Sequence, residues 1–574
     1  MGTAILAESA MTIEPNTTAA ARNAIERFEG SERAEIIAVA FRLAAASPSE
    51  AALKSVRATG LRVIIAPVVI VREPVAVPGY RLDQTRTPYF QVLLDYVDAG
   101  VIPFHTPGHK QGLGMDRAFR DFVGDNVLAI DLTQIRGLDD LLQPEGPLVE
   151  AQELAAECFG AEHTYFLING STSGNQCMMM AALNPGDKML VPRNAHKSAM
   201  GGLIMSGGYP IWMQPEVDEA LHMDHTVTPE AVRAALGENP DVKAVYVVSP
   251  TYYGVAADLE GIAAAAHEHG IPLLVDEAWG PHFHFHPALP KSAMEAGADM
   301  CINSTHKMLG SLSQTAMIHV QGDRIRLDRL KAVYKLFLST SPNLVLVASL
   351  DVARRQMALE GPALLSRTIE IANDARRRLN EIPNVYCFGE ELEGRPGVFD
   401  LDPTKITITV KKLGYTGYEA EEILRRRYNV QVELADLFNT LALFTIGTTA
   451  EAADELVYGV KELAREDRPV DIFSPSGVLQ RRVKKGTYRL PKIPPIRLLP
   501  REAFLANTEI IPFKKSAGRI CAEVITPYPP GIPVISPGEE ITPEIIDYLD
   551  LEKKAGVRMQ GPFDSDLRSI RVVT

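Results

Sequence analysis

Short apolar runs alternate with amphipathic stretches between about residue 100 and residue 320. Stretches with apolar residues on one helical face predict helices at 148–159, 174–183, 229–236 and 259–269. Between them, apolar β-branched runs predict strands at 164–168, 188–191, 244–248, 272–275 and 316–320. Strands that alternate with helices favour a mostly parallel sheet covered on both faces. The central part of the chain is therefore predicted to have an α/β fold.

The front section follows a different pattern. Residues 1–21 are small, polar and aperiodic, and they predict a disordered tail. A helix is predicted at 22–59, a strand at 61–71 and a linker at 72–88. The apolar run of this strand is far shorter than the roughly 20 residues that span a bilayer, so we expect no membrane segment. Because the first basic residue is Arg22, no cationic leader is predicted and we expect a cytoplasmic protein.

Beyond the central region the pattern becomes mainly helical at 345–395. Alternation at 405–410 predicts a strand, and 417–428 predicts a helix. Prolines and basic residues at 465–500 favour a surface linker over a nucleic-acid patch. We predict four parts: an N-terminal tail with a small helix and strand (1–87), a large domain (88–343), a small α/β domain (344–480) and a C-terminal domain (481–574).

The charge of the chain limits its partners. The 574 residues contain 72 acidic and 58 basic side chains, for a net charge of −14. An acidic surface repels phosphate backbones, so a nucleic-acid partner is not expected. Five cysteines are too few for a disulfide framework and fit a reducing compartment.

A turn rich in small hydroxyl residues lies between the strand at 164–168 and the next helix. It contains Ser171, Thr172 and Ser173, flanked by Gly170. Such a turn at a helix N-terminus offers backbone N–H groups and hydroxyls to a phosphate, and the helix dipole favours the anion. Because similar turns are common helix N-caps, this motif alone leaves both interpretations open.

Two further residues change the interpretation of that turn. Asp276 ends an apolar strand, where ligands bind in open parallel sheets, and Lys307 follows 31 residues later beside His306. Each alone is equally typical of a solvated surface charge. In this order, however, a phosphate turn, an acid at a strand end and a lysine match the phosphate, ring nitrogen and aldehyde of pyridoxal 5′-phosphate.

The chain resembles the bacterial Orn/Lys/Arg decarboxylases, which are pyridoxal-phosphate enzymes of the aspartate-aminotransferase fold type (fold type I). The resemblance runs from about residue 88 to the C-terminus. Its motifs are FHTPGHK (104–110), PRNAHKS (192–198), the strand end at Asp276, STHK (304–307) and YPPGIP (528–533).

The resemblance implies a role for each matching position. Lys307 would form a Schiff base with the cofactor, Asp276 would pair with the pyridine nitrogen, and His196 would stack on the ring. His306, directly before the lysine, is typical of decarboxylases and is a further catalytic candidate. The other implied cofactor contacts are Ser171, Thr172, Ser173, Trp279, Ser304 and Ser339.

Ser339 matches a position that reaches the phosphate of a neighbouring subunit, so the resemblance implies a homodimer with shared active sites, or a larger assembly. His282 is a predicted pocket residue, and Glu523 and Glu539 are candidates for gripping the distal cation of a substrate. The three histidines at 282, 284 and 286 would share one face of an extended segment. We favour pocket lining over zinc there, because no cysteine or carboxylate lies nearby to complete a metal site.

These observations predict decarboxylation of a basic L-amino acid. Arginine is favoured over lysine and ornithine, because the short front section resembles the smaller arginine-decarboxylating members. One alternative is another fold-type-I enzyme, either an aminotransferase or a β-eliminating lyase. Another is a catalytically silent relative with a regulatory role.

Overall fold

The computed structural model describes residues 79–466, 491–528, 531–554 and 556–574. The described residues all belong to one compact unit, Val75–Thr574. The helix predicted at 22–59 and the strand predicted at 61–71 lie outside the described residues, as does much of the predicted linker at 465–500. Within the described residues, no helix is both long and apolar enough to cross a membrane.

The region before residue 340 contains one large sheet and the helices around it. Its helices are α1 (Pro88–Asp98), α2 (Arg117–Val123), α3 (Asp125–Ala129), α4 (Pro147–Cys158), α5 (Gly170–Ala182), α6 (Lys197–Ser206), α7 (Pro229–Glu238), α8 (Leu259–Glu268), α9 (Thr305–Met308) and α10 (Leu327–Phe337). Its strands are β1 (His163–Leu167), β2 (Lys188–Pro192), β3 (Tyr209–Met213), β4 (Val217–Asp218), β5 (Met223–Asp224), β6 (Val242–Val248), β7 (Val255–Ala256), β8 (Leu273–Asp276), β9 (Met300–Asn303) and β10 (Ala316–Val320).

The large sheet has seven strands in the order β1-β10-β9-β8-β6-β2-β3. The pairs from β9 through β8, β6 and β2 to β3 are parallel, which confirms the predicted mostly parallel α/β fold. Strand β10 is antiparallel to both of its neighbours. The segment between β9 and β10 holds only the four-residue helix α9 and no crossover helix, so β10 returns in the opposite direction beside β9.

Buried apolar side chains cover both faces of this sheet. Phe166, Met178 and Ile318 belong to one fully buried cluster, and Val245 and Ile262 belong to another. Each cluster combines strand residues with residues of the surrounding helices. Two apolar layers of this kind explain why the strands have continuous apolar runs and not an alternating pattern.

The following region is built on the long helix α11 and a four-stranded antiparallel sheet in the order β11-β13-β15-β14. Its helices are α11 (Leu344–Asn380), α12 (Gly417–Tyr428) and α13 (Ala450–Arg465), and its strands are β11 (Tyr386–Cys387), β12 (Asp400–Leu401), β13 (Lys405–Thr409), β14 (Leu434–Ala435) and β15 (Asn439–Leu443). The predicted helix at 417–428 is confirmed, and its N-terminus carries a capping box formed by Thr416 and Glu419. Strand β13 confirms the predicted strand at 405–410.

The C-terminal region adds two helices and two short antiparallel strand pairs around its own apolar cluster. Its elements are α14 (Pro500–Leu505), β16 (Thr508–Pro512), β17 (Thr526–Tyr528), α15 (Pro543–Lys554), β18 (Arg558–Gln560) and β19 (Ser569–Val573). Strand β16 pairs with β19 and β17 pairs with β18, both antiparallel. A backbone hydrogen bond from Lys197 N–H to the Gly531 carbonyl connects this region to α6 of the large sheet domain.

Candidate active site

The predicted phosphate turn, acid and lysine meet at one edge of the large sheet. Strands β1, β8 and β9 run in the same direction, so their carboxyl ends share that edge. The Ser171 turn follows β1, Asp276 ends β8, and Lys307 lies on helix α9 directly after β9. This edge is the part of an open α/β sheet where ligands bind.

The hydroxyl turn forms the first turn of the 13-residue helix α5. No side chain caps this helix, so its N-terminal backbone N–H groups are available to an anion. The hydroxyl groups of Ser171 and Ser304 are 2.5 Å apart, which joins the turn to the start of α9. Ser173 donates to the Gly170 carbonyl at 2.9 Å, and the side chain of Thr172 is exposed.

Asp276 is buried, and polar groups hold its carboxylate in place. Asn175 Nδ2 and the Tyr246 hydroxyl donate to Oδ2 at 2.8 and 3.0 Å, and Ala278 N–H donates to Oδ1 at 3.1 Å. Within the described residues, no cationic side chain forms an ion pair with it. A buried carboxylate without a contacting cation is suited to a positively charged ring nitrogen.

Lys307 lies directly against an aromatic side chain. Its Nζ is 3.8 Å from the centre of the Trp279 ring. Burial lowers the pKa of Lys307 to about 8, although the charges of Asp276 and Glu433 act in the opposite direction. The amine is therefore unprotonated in a larger fraction of molecules near neutral pH than an ordinary lysine is, which favours its action as a nucleophile.

His196 caps helix α6 and is linked to Asp276 through two side chains. Its Nδ1 lies 2.8 Å from Ser198 Oγ, which accepts a hydrogen bond from Asn175 Nδ2 at 2.9 Å. Burial lowers the pKa of His196 to about 4, so the ring is neutral at physiological pH. The backbone of Gly531 covers the edge of this ring: with φ of +101°, a Cβ there would lie 3.1 Å from His196 Cδ2.

The residues beside Lys307 are also fixed. His306 Nδ1 lies 2.7 Å from the Thr315 carbonyl oxygen, and burial lowers the pKa of His306. The hydroxyl of Thr305 is buried without a hydrogen-bond partner in the described part of the chain. An unpartnered polar atom at this position leaves a donor for a ligand.

Two of the predicted substrate residues have charged partners within this chain. Glu539 is buried and forms a bidentate ion pair with Arg193 at 2.7 and 3.1 Å. The His282 side chain is fully buried, and its Nε2 lies 3.0 Å from Asp402 Oδ2, while its Nδ1 has no hydrogen-bond partner in the described residues. The charge of Glu539 is thus already balanced by Arg193, and the predicted substrate contacts of Glu539 and His282 stay predictions.

Glu523 and Ser339 differ in their surroundings. Both oxygens of Glu523 accept backbone N–H groups, from Phe563 at 2.7 Å and from Arg571 at 3.0 Å. Ser339 is exposed on the loop between α10 and α11. Its predicted contact with a neighbouring subunit stays a prediction.

The histidine run does not form one face. Residues 283–285 form a single 3₁₀ turn, so the three side chains diverge. His282 meets Asp402, His284 lies 3.3 Å from Glu295, and His286 lies 3.0 Å from Ser366. Within the described ranges, no group of three possible ligands is arranged to hold a metal ion.

The sequence of the chain matches two models of one family. The description "Orn/Lys/Arg decarboxylase, major domain" matches residues 87–452, and "Orn/Lys/Arg decarboxylase, C-terminal domain" matches 487–572. This chain belongs to the Orn/Lys/Arg decarboxylase family. The predicted resemblance is thereby confirmed.

Relatives within the decarboxylase family differ in how much of their length the chain covers. An arginine decarboxylase of Bacillus anthracis is 45% identical over 497 residues, which are 86% of this chain and 98% of that relative. Lysine decarboxylase LdcA of Pseudomonas aeruginosa is 31% identical, over 84% of this chain and 78% of that relative. The crystal structure of the Francisella novicida lysine decarboxylase LdcF has a TM-score of 0.74 and 25% identity, over 85% of this chain and 81% of that one.

The sequence interpretation missed several residues that contact or lie close to the predicted site residues. Asn175 follows the hydroxyl turn directly, but its contact with Asp276 depends on the helical conformation of α5. Tyr246 lies in an apolar strand, where a tyrosine is indistinguishable from other core residues. Lys405 begins a strand pattern and gave no signal, although its Nζ is 5.8 Å from the centre of the Trp279 ring.

Proposed function

We propose that this chain converts L-arginine to agmatine and carbon dioxide, with pyridoxal 5′-phosphate as its cofactor. The observation that carries the proposal is the match to 98% of the length of an arginine decarboxylase, combined with a lysine, an acid and an anion-binding turn at one sheet edge. Lysine decarboxylation is the second candidate, because a similar solved structure is that of a lysine decarboxylase.

The side chains present fit this cofactor at three points. The uncapped N-terminus of α5, with Ser171 and Ser304, would hold the phosphate. Asp276 would pair with the ring nitrogen, and Lys307 Nζ would bond covalently to the aldehyde carbon. The predicted contacts of Thr172, Ser173 and His306 with the cofactor remain part of this proposal.

When it is bound, the cofactor provides an electron sink for the pair left at the α-carbon as carbon dioxide departs. Asp276 keeps a proton on the ring nitrogen, because an ionised carboxylate stabilises the adjacent positive charge. Neutral His196, wedged between Ser198 and the Gly531 backbone, would hold the ring plane and exclude water from one face. Lys307 Nζ would return a proton to the α-carbon after the carboxylate bond breaks.

A cavity of about 160 Å³ could receive the substrate side chain. It is lined by Tyr252, whose ring centre is 6.0 Å from that of Trp279, and by Asp224. Asp224 Oδ1 is buried without a hydrogen-bond partner in the described residues, and burial raises the pKa of Asp224 to about 6. A guanidinium group would supply the missing partner and favour the charged carboxylate.

Asp224→Asn tests this subsite. We expect the KM for arginine to rise about tenfold with little change in kcat, because a hydrogen bond to a charged group contributes about 1.5–3 kcal/mol. Steady-state kinetics measure both constants, and Asp258→Asn, which alters only a helix N-cap, is the control. An unchanged KM would remove Asp224 from the substrate site.

We further propose that the active enzyme is a cytoplasmic homodimer or a larger assembly of such dimers. Large apolar side chains are strongly exposed near the sheet edge, namely Ile102 at 78%, Phe104 at 94%, Leu113 at 77%, Phe122 at 90% and Leu336 at 76%. A second copy of the chain would cover them and bring the exposed Ser339 loop to the neighbouring site. Sedimentation equilibrium of Phe104→Asp/Leu336→Asp should show a shift toward monomer.

A panel assay tests the reaction itself. The purified chain with added cofactor is incubated separately with arginine, lysine and ornithine, and both amine and carbon dioxide are measured. We expect stoichiometric agmatine and carbon dioxide from arginine. A keto acid without carbon dioxide would indicate an aminotransferase, and an inactive, colourless protein would indicate a silent relative.

A further inference from the structure

A second lysine lies behind the active-site indole, in a cluster that the proposed reaction does not use. Lys405 opens strand β13 of the small sheet, and its side chain is fully buried together with those of Asp402 and His282. Asp402 Oδ2 accepts from Lys405 Nζ at 2.8 Å and lies 3.0 Å from His282 Nε2. The other oxygen, Oδ1, accepts from the backbone N–H and the hydroxyl of Thr404 at 2.9 and 2.6 Å.

The ammonium group of Lys405 has an acceptor for each of its three protons. Besides Asp402, these are the Trp279 carbonyl oxygen and the sulfur of Met308, each at 3.2 Å. Trp279 is the ring against which Lys307 lies, and Met308 follows Lys307 on helix α9. Lys405, on the four-stranded sheet, therefore contacts both the backbone of Trp279 and the helix α9 that carries Lys307.

The surrounding backbone leaves no other position for this side chain. Gly254, with φ of +89°, packs so closely that a Cβ there would lie 2.8 Å from Lys405 Cγ. The four groups around the Asp402 carboxylate belong to Thr404, Lys405 and His282, and all three residues are buried. A satisfied, rigid polar cluster of this kind specifies one arrangement of the groups that it contacts.

We infer that Lys405, fixed by Asp402 and His282, is a positioning residue that sets the geometry of Trp279 and Lys307 and keeps a proton away from the Lys307 amine by repulsion. Its consequence for catalysis rests on the proposed function, but the geometry and the charge effect do not. Both ammonium groups lie within 6 Å of the centre of the same indole ring.

The other charges around Lys307 define the direction of the effect. Asp276 and Glu433 favour its protonated form, whereas Lys405 and burial disfavour it. His196 is neutral through burial, and the pKa of His306 is lowered by burial. Around Lys405, the pKa of Asp402 is raised by burial but held below its ordinary value by Lys405 and His282, so the carboxylate stays ionised. Of the three charged side chains that act on Lys307, which are Asp276, Glu433 and Lys405, Lys405 is thus the one whose charge disfavours protonation of the Lys307 amine.

The test uses the fluorescence of Trp279 in the full-length chain without bound cofactor, in which the Lys307 amine is free to titrate. Because the chain has two tryptophans, Trp212→Phe leaves Trp279 as the single emitter. Its emission should change with pH as Lys307 titrates, with a midpoint near 8. Lys307→Met in the same background should abolish that transition and so assign it.

Lys405→Gln keeps hydrogen-bond donors toward Asp402 and Trp279 but removes the charge. Lys405→Met/Asp402→Asn removes both charges of the pair at similar volume, which proteins often tolerate. In Lys405→Gln we expect the midpoint to rise by about one pH unit, because a unit charge within roughly 10 Å is lost. In the double variant the rise should be much smaller, because the neighbouring negative charge of Asp402 is removed as well. Lys188→Met, which breaks an ion pair with Asp241 on the surface, is the matched control and should leave the midpoint unchanged.

An unchanged midpoint in folded Lys405→Gln, verified by circular dichroism, would overturn the inference, and so would a rise in the double variant as large as in Lys405→Gln. A midpoint shift in Lys188→Met as large as in Lys405→Gln would also overturn it, because the effect would then be general. The outcome is independent of turnover: if the wild-type chain releases no carbon dioxide from any amino acid, the proposed function fails while the titration still decides the role of Lys405.

Discussion

Two lysines approach the same indole ring from different elements, Lys307 from helix α9 and Lys405 from strand β13, and they differ in one contact. Lys307 Nζ and Lys405 Nζ lie 3.8 and 5.8 Å from the centre of the Trp279 ring. Burial lowers the pKa of both. Lys405 touches the Asp402 carboxylate, whereas Lys307 forms no ion pair within the described ranges. Contact with the Asp402 carboxylate makes Lys405 a structural cation, whereas Lys307 has no such contact and is available to act as a nucleophile.

The largest difference between the two lysines should appear in turnover. We expect Lys307→Ala to lower kcat by about 10⁴-fold or more, as when the nucleophile of a covalent enzyme is removed. The variant should remain folded, because it leaves no unpaired buried charge. Release of labelled carbon dioxide measures the effect, and full activity would refute the central assignment.

Lys405→Ala should act mainly on stability. Removing one partner of a fully buried ion pair costs about 3–5 kcal/mol, because the other charge remains buried without compensation. Urea denaturation measures the free energy of unfolding. Lys188→Ala, which breaks a surface ion pair, is the control. If Lys405→Ala lowers the free energy of unfolding no more than Lys188→Ala does, Lys405 is not the structural cation described here.

Asp276→Asn should show how much the negative charge of Asp276 contributes to catalysis, apart from the size of its side chain. The amide is of the same size, but it cannot stabilise a protonated ring nitrogen. We expect kcat to fall about 100- to 1000-fold, the range for removal of one preorganised electrostatic group. Circular dichroism serves as the control for folding, and wild-type kcat would show that the carboxylate charge is not needed.

Glu433→Gln should have the smallest effect and the opposite sign to loss of Lys405. Glu433 favours protonation of Lys307, so its neutralisation should lower the pKa of Lys307 by a few tenths of a unit, since an exposed charge is screened by solvent. The pH midpoint of Trp279 emission in the Trp212→Phe background should therefore fall slightly. A rise would mean that Glu433 acts by another route.

The sequence was most informative where local pattern determines structure. The strand ends that carry Asp276 and the helix at 417–428 follow from periodicity alone, because each element forms from residues close in the chain. The order of a hydroxyl turn, an acid and a lysine was sufficient to predict the sheet edge where they meet. The family resemblance then supplied roles that spacing could not.

Long-range partners were not predictable in the same way. Glu539 looked like a free carboxylate, because Arg193 is remote in the sequence and meets it only in the fold. The antiparallel direction of β10 leaves no trace in an apolar run, since periodicity carries no direction. Lys405 was missed for a related reason: its contacts with Trp279 and Met308 join two sheets.

The Gly531 backbone that covers His196 has a consequence for how the protein becomes active during synthesis. The histidine belongs to the large sheet region, but the backbone over its ring edge is supplied by residue 531, far later in the chain. A nascent chain that has not yet reached residue 531 therefore presents an open ring edge to water. Synthesis of the large sheet region alone is thus not enough to close this centre.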